Sequence, residues 1–220
     1  MVSAKEIIAH RVAQDFRDGD VVNLGIGLPT MAADYIPNDV EVMIQSENGI
    51  LGMGGAAGEE EKHEDVINSG GTHVSLEKGG SYFDSTLSFG IIRGGHVDVT
   101  VLGALQVDEE GNLASHMVPG KMVSGMGGAM DLVVGAKEVI AATTHTQKGN
   151  AKILKKITLP ATALKCVNKI ITELGVMEVR KEGLVLIEIA PGTTIEEIQA
   201  KTEAAFLISP DLKTMCMPAG

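Results

Sequence analysis

The chain has 220 residues, of which 44% are hydrophobic and 21% charged, and this composition is typical of a folded globular protein. A formal net charge of −11 and an aromatic content of 3% argue against nucleic-acid partners, which need basic patches and stacking side chains. The two cysteines, Cys166 and Cys216, are too few for a disulfide framework, and no apolar run reaches the ~18 residues of a membrane helix. We therefore expect a cytoplasmic protein with neither membrane nor nucleic-acid partners.

The first quarter of the chain predicts a helix followed by alternating elements. Ser3-x-x-Glu6 fits a capping box, and Ile8, Val12 and Phe16 then recur at four-residue spacing, which predicts an amphipathic helix. The segments that follow predict a strand, a short helix, a second strand and a charged loop, at 21–24, 30–37, 41–45 and 52–65.

The rest of the chain continues this alternation. Asp108–Asn112 and Lys181–Gly183 are predicted as turns between strands, and Thr194-x-x-Glu197 as a second capping box that opens a late helix. Strands are predicted at 74–76, 97–102, 138–143, 176–180 and 184–189, and helical faces at 83–91 and 161–174. This order predicts the α/β class: a single domain over residues 1–220 with an open, mainly parallel or mixed sheet flanked by helices.

The common motifs of nucleotide, metal and hydrolase sites are absent or weak. Gly52-x-Gly54-x-x-Ala57 satisfies a relaxed dinucleotide fingerprint, but three glutamates follow it, which is unfavourable for a pyrophosphate. None of the six histidines lies in a metal-binding pattern, so no metal site is predicted, and the G-x-S-x-G elbow of serine hydrolases is missing.

The segment Ser46-Glu47-Asn48-Gly49 directly follows the second predicted strand. In open α/β sheets, ligands bind beyond the carboxyl ends of the strands. A carboxylate with an ordinary pKa of about 4 is ionised at neutral pH and can attack an activated acyl group. Ser46 and Asn48 could hold this carboxylate in one orientation, and Gly49 leaves room for a substrate. On the residues alone, the alternative that Glu47 caps a helix or pairs with a lysine stays open.

A second glycine-rich corner, Gly125 to Gly128, could supply backbone N–H donors to the oxyanion that such an attack creates.

Five segments of the chain carry a family resemblance, and they are GDVVNLGIGLP (19–29), QSENGILG (45–52), IRGGHVD (92–98), VPGKM (118–122) and GMGGAMDL (125–132). In this order they resemble family I CoA-transferases, and in particular the β subunits of the bacterial 3-oxoacid type. The similarity runs from near the start to about Phe206, with one departure at Ile44, where Leu or Phe is usual.

The resemblance implies a three-layer fold and a ping-pong reaction in which Glu47 becomes a glutamyl-CoA thioester. It also implies an oxyanion donor at the amide of Gly128, with Gly127 as the alternative. Coenzyme A thioesters are then substrates, and no metal or redox cofactor is required. The residues expected to bind substrate are Ser46, Asn48, Gly49, Gly27 and Gly127.

The resemblance covers only the half of the family that carries the glutamate. It therefore implies a homologous α subunit as partner, in an α2β2 heterotetramer. The expected substrates are acetoacetyl-CoA or butyryl-CoA with acetate or succinate as acceptor. Two alternatives remain: a sugar-phosphate isomerase of related fold, and a non-catalytic scaffold subunit.

Overall fold

The computed structural model describes residues 2–120 and 125–218, and a ten-stranded mixed sheet runs through them. The helices are α1 (Ala4–Ala13), α2 (Ser85–Arg93), α3 (Ala129–Gly135) and α4 (Ile195–Lys201), with a 3₁₀ helix at Pro29–Tyr35. The strands are β1 (Val21–Leu24), β2 (Met43–Ser46), β3 (Ile50–Ala56), β4 (Val74–Tyr82), β5 (Val99–Gly103), β6 (Gln106–Asp108), β7 (Leu113–Ala114), β8 (Glu138–Ala142), β9 (Thr146–Gln147), β10 (Asn150–Ala151), β11 (Ile153–Leu154), β12 (Lys169–Ile171), β13 (Gly175–Arg180), β14 (Gly183–Ile189) and β15 (Phe206–Thr214).

The large sheet has the order β15-β14-β13-β12-β8-β5-β1-β2-β3-β4. Its five central strands, from β12 to β2, are parallel to one another. On one side β13 pairs antiparallel with both β12 and β14, and on the other side β3 pairs antiparallel with both β2 and β4. The edge strand β15 returns parallel to β14. Because the central strands are parallel, their carboxyl ends meet at one edge of the sheet, where ligands bind in folds of this kind.

Helices cover both faces of the sheet and divide the apolar interior into two clusters. On one face, Ile92 of α2 and Leu132 of α3 pack on residues such as Val139 of β8. On the other face, Ile8 of α1 packs on residues such as Ile140, the next residue of the same strand. Alternate residues of one strand thus enter opposite layers. The predicted α/β class with helix-flanked mixed sheet is confirmed.

A buried ion-pair network fastens α1 to the sheet. Arg11 is only 6% exposed, and its Nε and Nη2 each donate to one oxygen of Glu188 in β14 at 2.6 Å. Its Nη1 donates to Asp15 at 3.0 Å, and Asp15 also accepts a hydrogen bond from Lys169 Nζ of β12 at 2.9 Å. A planar, doubly hydrogen-bonded contact of this kind stabilises the packing of α1 on the sheet and also fixes its orientation.

Local signals predicted several elements correctly. The capping box of α1 is complete, because Ser3 N–H donates to Glu6 and Glu6 N–H donates to Ser3. The strand at 21–24 has the predicted bounds, and the hairpin of β13 and β14 turns at the predicted residues. The short helix expected at 30–37 is present as the 3₁₀ helix.

The loop expected from residue 52 to 65 is wrong at its start, because residues 50–56 form β3. Gly52 has φ +75°, and a Cβ atom there would lie 2.8 Å from the Cα of Gly80 in β4. The glycines that indicated a loop instead allow β3 and β4 to approach closely.

The helix expected at 161–174 is also wrong. The N–H groups of Cys166 and Val167 donate to the carbonyl of Gly111, and Lys165 has a positive φ of 51°. These contacts hold the segment against the turn between β6 and β7, and the chain then enters β12. The strand β15 was not predicted at all.

Candidate active site

Glu47 lies in the tight turn between β2 and β3, at the carboxyl edge of the parallel strands. Gly49 N–H donates to the carbonyl of Ser46 at 3.0 Å, and the Gly49 carbonyl accepts from Phe83 N–H at 3.0 Å. Gly49 has φ +120°, and a Cβ atom there would lie 2.0 Å from the carbonyl oxygen of Phe83. Only glycine fits this position, so the turn is closely packed and presents the half-buried Glu47 side chain in a defined place.

The glycine-rich corner before α3 packs directly on this side chain. A Cβ atom at Gly128 would lie 3.1 Å from Glu47 Cγ and 3.5 Å from Phe89 Cε1 of α2. At Gly127, which has φ +53°, a Cβ atom would lie 3.6 Å from Glu47 Oε1. The structure therefore brings together the two regions that the sequence singled out, and a side chain at Gly128 would press on the Glu47 side chain. The use of the Gly128 or Gly127 amide as an oxyanion donor stays a prediction.

A buried row of polar side chains lies beneath Glu47. Asn23 of β1 donates from Nδ2 to Gln45 Oε1 at 2.8 Å, and Gln45 Nε2 donates to Ser88 Oγ of α2 at 3.0 Å. Thr100 of β5 donates to Asn23 Oδ1 at 3.4 Å. Asn23 Nδ2 also lies 3.5 Å from Glu47 Oε2. Sequence reasoning did not assign a role to Asn23, Ser88 or Thr100; a polar residue inside an apolar strand is the signal that could have found Asn23.

Ser46 and Asn48 flank Glu47 but bond elsewhere. Ser46 Oγ accepts from Ser69 N–H at 3.2 Å, and Asn48 Nδ2 donates to the carbonyl of Ile67 at 2.7 Å. Both side chains thus hold the loop before β4, not the carboxylate as expected. Their role in substrate binding stays a prediction.

Gly27 lies across the sheet edge from Glu47, in the turn after β1. It has φ +91°, and its carbonyl accepts from Thr30 Oγ1 at 2.7 Å. Gly27 and Ser46 line a cleft of about 1090 Å³ on the 3₁₀-helix face of the sheet, with an apolar floor that includes Ile44. The Glu47 side chain lies on the other face of the sheet, on the side of α2 and α3. The cleft and the carboxylate are therefore adjacent only at the edge of the sheet. Substrate binding by Gly27 stays a prediction.

Within residues 2–120 and 125–218, no three His, Cys, Asp or Glu side chains come together as metal ligands would. Over the same ranges, no helix is long and apolar enough to cross a membrane. Two residues of the VPGKM segment, Lys121 and Met122, lie outside the described residues.

The model of the coenzyme A transferase family matches residues 5–201 of the chain. The chain belongs to the coenzyme A transferase family. It is 54% identical over 215 residues to the β subunit of the acetate CoA-transferase of Haemophilus influenzae, covering 97% of this chain and 96% of that protein. It is 47% identical over 210 residues to one subunit of a probable succinyl-CoA:3-ketoacid coenzyme A transferase of Bacillus subtilis, covering 95% and 97%.

The fold of this CoA-transferase chain also matches a solved structure. The acyl-CoA transferase YdiF of Escherichia coli O157:H7 superimposes with a TM-score of 0.76 at 26% identity, over 97% of this chain. The chain spans only 43% of the length of that protein. These comparisons confirm the family, the β-subunit type and the enzyme class that the five sequence segments predicted.

Proposed function

We propose that this chain is the catalytic β subunit of an enzyme that moves CoA between a short-chain or 3-oxo acyl-CoA and a carboxylic acid. The observation that carries the proposal is the Glu47 carboxylate, presented by a rigid turn at the sheet edge and packed against Gly127 and Gly128. A carboxylate next to glycine amides combines a nucleophile with donors for the charge that its attack creates.

The reaction begins when a Glu47 oxygen attacks the thioester carbonyl of the acyl-CoA. The C–S bond breaks, CoA leaves as a thiolate, and a mixed anhydride joins the acyl group to Glu47. The thiolate then attacks the glutamyl carbonyl carbon, and the bond from this carbon to the bridging oxygen breaks. The first acid leaves as a carboxylate that carries the bridging oxygen. The enzyme now holds a glutamyl-CoA thioester, and the second carboxylate reverses both steps. No atom changes oxidation state, so the sequence balances without a metal or redox cofactor.

The amide of Gly128, or of Gly127, serves as a donor to the tetrahedral oxyanion. The bare glycine surface also admits a small acyl group beside the carboxylate. Removal of one such donor costs on the order of 10²–10³ in rate in other acyl-transfer enzymes.

The substrate range rests on the names of the relatives, which are acetate and succinyl-CoA:3-ketoacid CoA-transferases. These names support acetoacetyl-CoA, a 3-ketoacyl-CoA, as donor and acetate or succinate as acceptor. Butyryl-CoA as a second donor, and a role in short-chain fatty acid or ketone-body metabolism in the cytoplasm, belong to the same proposal and rest on the sequence resemblance. An apolar pocket separates acids that differ by one methylene by only about 1–3 kcal/mol, so overlapping substrates are expected.

The partner is a homologous α subunit, and we assign an α2β2 heterotetramer. Both bacterial relatives are named as one subunit of a larger enzyme, and the chain accounts for less than half of the YdiF chain. Size-exclusion chromatography with light scattering on the co-expressed pair tests the stoichiometry.

The experiment that tests the function is Glu47→Gln in the enzyme assembled with its partner, assayed for CoA transfer from acetoacetyl-CoA to acetate. The amide keeps the shape of the side chain but is not a nucleophile, so transfer should fall to background while assembly persists. The matched control is Glu182→Gln, in the exposed hairpin turn, which should retain full activity. Full activity of the Glu47→Gln enzyme would instead indicate that this chain is a scaffold for a catalytic partner.

A further inference from the structure

We propose that Asn23 is the residue that positions the Glu47 carboxylate, and that Thr100 and Gln45 lock its amide in the required orientation. This inference rests on the proposed function, because it concerns how the nucleophile of that reaction is held.

The three residues form a continuous polar row across neighbouring parallel strands. Asn23 is the register partner of Gln45 on one side and of Thr100 on the other. Asn23 and Gln45 are 1% exposed, and Thr100 is fully buried. Central parallel strands normally carry Val, Ile and Leu at such positions. Buried polar groups are costly unless hydrogen-bonded, so a row of them directly below the nucleophile needs a specific reason.

The hydrogen bonds of the row determine which way the Asn23 amide faces. Its Oδ1 accepts from the Thr100 hydroxyl at 3.4 Å, which leaves Nδ2 on the opposite side. There Nδ2 donates to Gln45 Oε1 at 2.8 Å and lies 3.1 Å from the Gln45 carbonyl oxygen. If the amide turned over, its oxygen would face these two oxygens and the Glu47 carboxylate as well.

Gln45 is itself held from the other side. Its Nε2 donates to Ser88 Oγ at 3.0 Å, and Ser88 is fully buried in α2. Because the main-chain carbonyl of Gln45 can only accept, Nδ2 of Asn23 must face it, and Gln45 must then turn its Oε1 to Nδ2 and its Nε2 to Ser88. Fully satisfied buried networks of this kind are rigid.

The fixed Nδ2 group distinguishes the two oxygens of Glu47. Oε2 lies 3.5 Å from Nδ2, whereas Oε1 lies on the side of Gly127. This distance is long for a hydrogen bond, and such contacts in unliganded enzymes shorten when substrate binds. The geometry assigns Oε1 as the attacking atom. Oε2 then becomes the carbonyl oxygen of the glutamyl intermediates. When the thiolate attacks, negative charge develops on Oε2, and the nearby Nδ2 group of Asn23 stabilises it.

The test uses substitutions at Thr100, whose hydroxyl donates to Asn23 and not to Glu47 in the described structure. Thr100→Val keeps the volume and removes the hydroxyl that orients Asn23, whereas Thr100→Ser retains it. The matched control is Thr143→Val, at a buried threonine directly after β8, whose hydroxyl donates to the carbonyl of Ala104 at 2.9 Å and accepts from Lys152 Nζ. Asn23→Asp replaces the donor with an acceptor at the same place. All four variants are studied in the assembled enzyme, and melting temperatures verify folding.

The measured quantities are the steady-state kcat and KM, and the rate at which acetoacetyl-CoA converts the chain to its CoA thioester, followed by intact mass. Thr100→Val should lower thioester formation and kcat by about tenfold or more, with KM for acetoacetyl-CoA nearly unchanged. Thr100→Ser should restore the rate, Thr143→Val should retain it, and Asn23→Asp should lose more than Thr100→Val.

Wild-type rates in both Thr100→Val and Asn23→Asp would overturn the positioning role while leaving Glu47 as the nucleophile. The absence of any thioester in the wild-type enzyme would overturn the proposed function itself, so the two failures are distinguishable.

Discussion

Gly128→Ala tests the contact between the glycine corner and the nucleophile. The new methyl group would lie 3.1 Å from Glu47 Cγ, 3.4 Å from Glu47 Cβ and 3.5 Å from Phe89 Cε1. Carbon atoms in optimal contact are about 3.5–4.0 Å apart, so the Glu47 side chain must retreat by roughly half an ångström. Since a displacement of about 1 Å from productive geometry can cost a factor on the order of 10², we expect CoA transfer to fall about tenfold.

The fold should tolerate this substitution, because Gly128 has φ −79° and ψ 5°, a negative φ that is also open to alanine. The loss of transfer rate should therefore appear without a large change in melting temperature. Gly90→Ala is the matched control, since a Cβ atom at this position in α2 would meet nothing within 4 Å. Initial transfer rates and melting curves of both variants provide the assay. A Gly128→Ala enzyme with wild-type kcat and KM would refute the idea that this corner encloses the reacting carboxylate.

Three further predictions concern buried groups away from the site. Arg11→Met leaves Glu188, whose side chain is only 14% exposed, without its partner. The free energy of unfolding should therefore drop by about 3–5 kcal/mol in denaturant titrations, and an unchanged value would contradict this. Burial lowers the pKa of His145 to about 4 from its usual 6.5. Because the unfolded chain then binds a proton that the folded chain does not, stability should fall by up to about 3 kcal/mol as the pH drops from 6.5 towards 4. His145→Gln should flatten this pH dependence, and an equally steep curve in the variant would argue against it. Burial raises the pKa of the Cys166 thiol to about 11, so iodoacetamide at pH 8 should modify the exposed Cys216 first, as peptide mass spectrometry would detect. Faster labelling of Cys166 would contradict its assigned burial.

The parts of the fold that were predictable depend on short-range signals. The capping box at Ser3 and Glu6, the strand at 21–24 and the hairpin around Gly183 are each encoded within a few neighbouring residues. The place of Glu47 at the ligand edge was also predictable, because a polar motif follows an apolar strand of an α/β sheet there. Its role as nucleophile came from the family resemblance and stays a prediction.

The parts that were not predictable depend on distant contacts. From its neighbours in sequence, Gly52 predicts a loop. In the fold it lies opposite Gly80, and the two glycines allow β3 and β4 to approach closely. The periodicity of 161–174 suggests a helix, but its backbone bonds to the carbonyl of Gly111 instead. In the same way, the role of Asn23 depends on contacts with residues distant in sequence, such as Thr100, which is 77 residues away. Tertiary contacts of this kind override local propensity.

The most direct test of the proposed mechanism is the mass of the peptide that contains Glu47, taken from the assembled enzyme after incubation with acetoacetyl-CoA and reduction with borohydride. Borohydride converts a glutamyl thioester to an alcohol but leaves a free carboxylate unchanged. We predict a lower mass at Glu47 that requires acyl-CoA. An unchanged Glu47 peptide, in an enzyme shown to transfer CoA, would contradict the mechanism and assign the nucleophile to the partner.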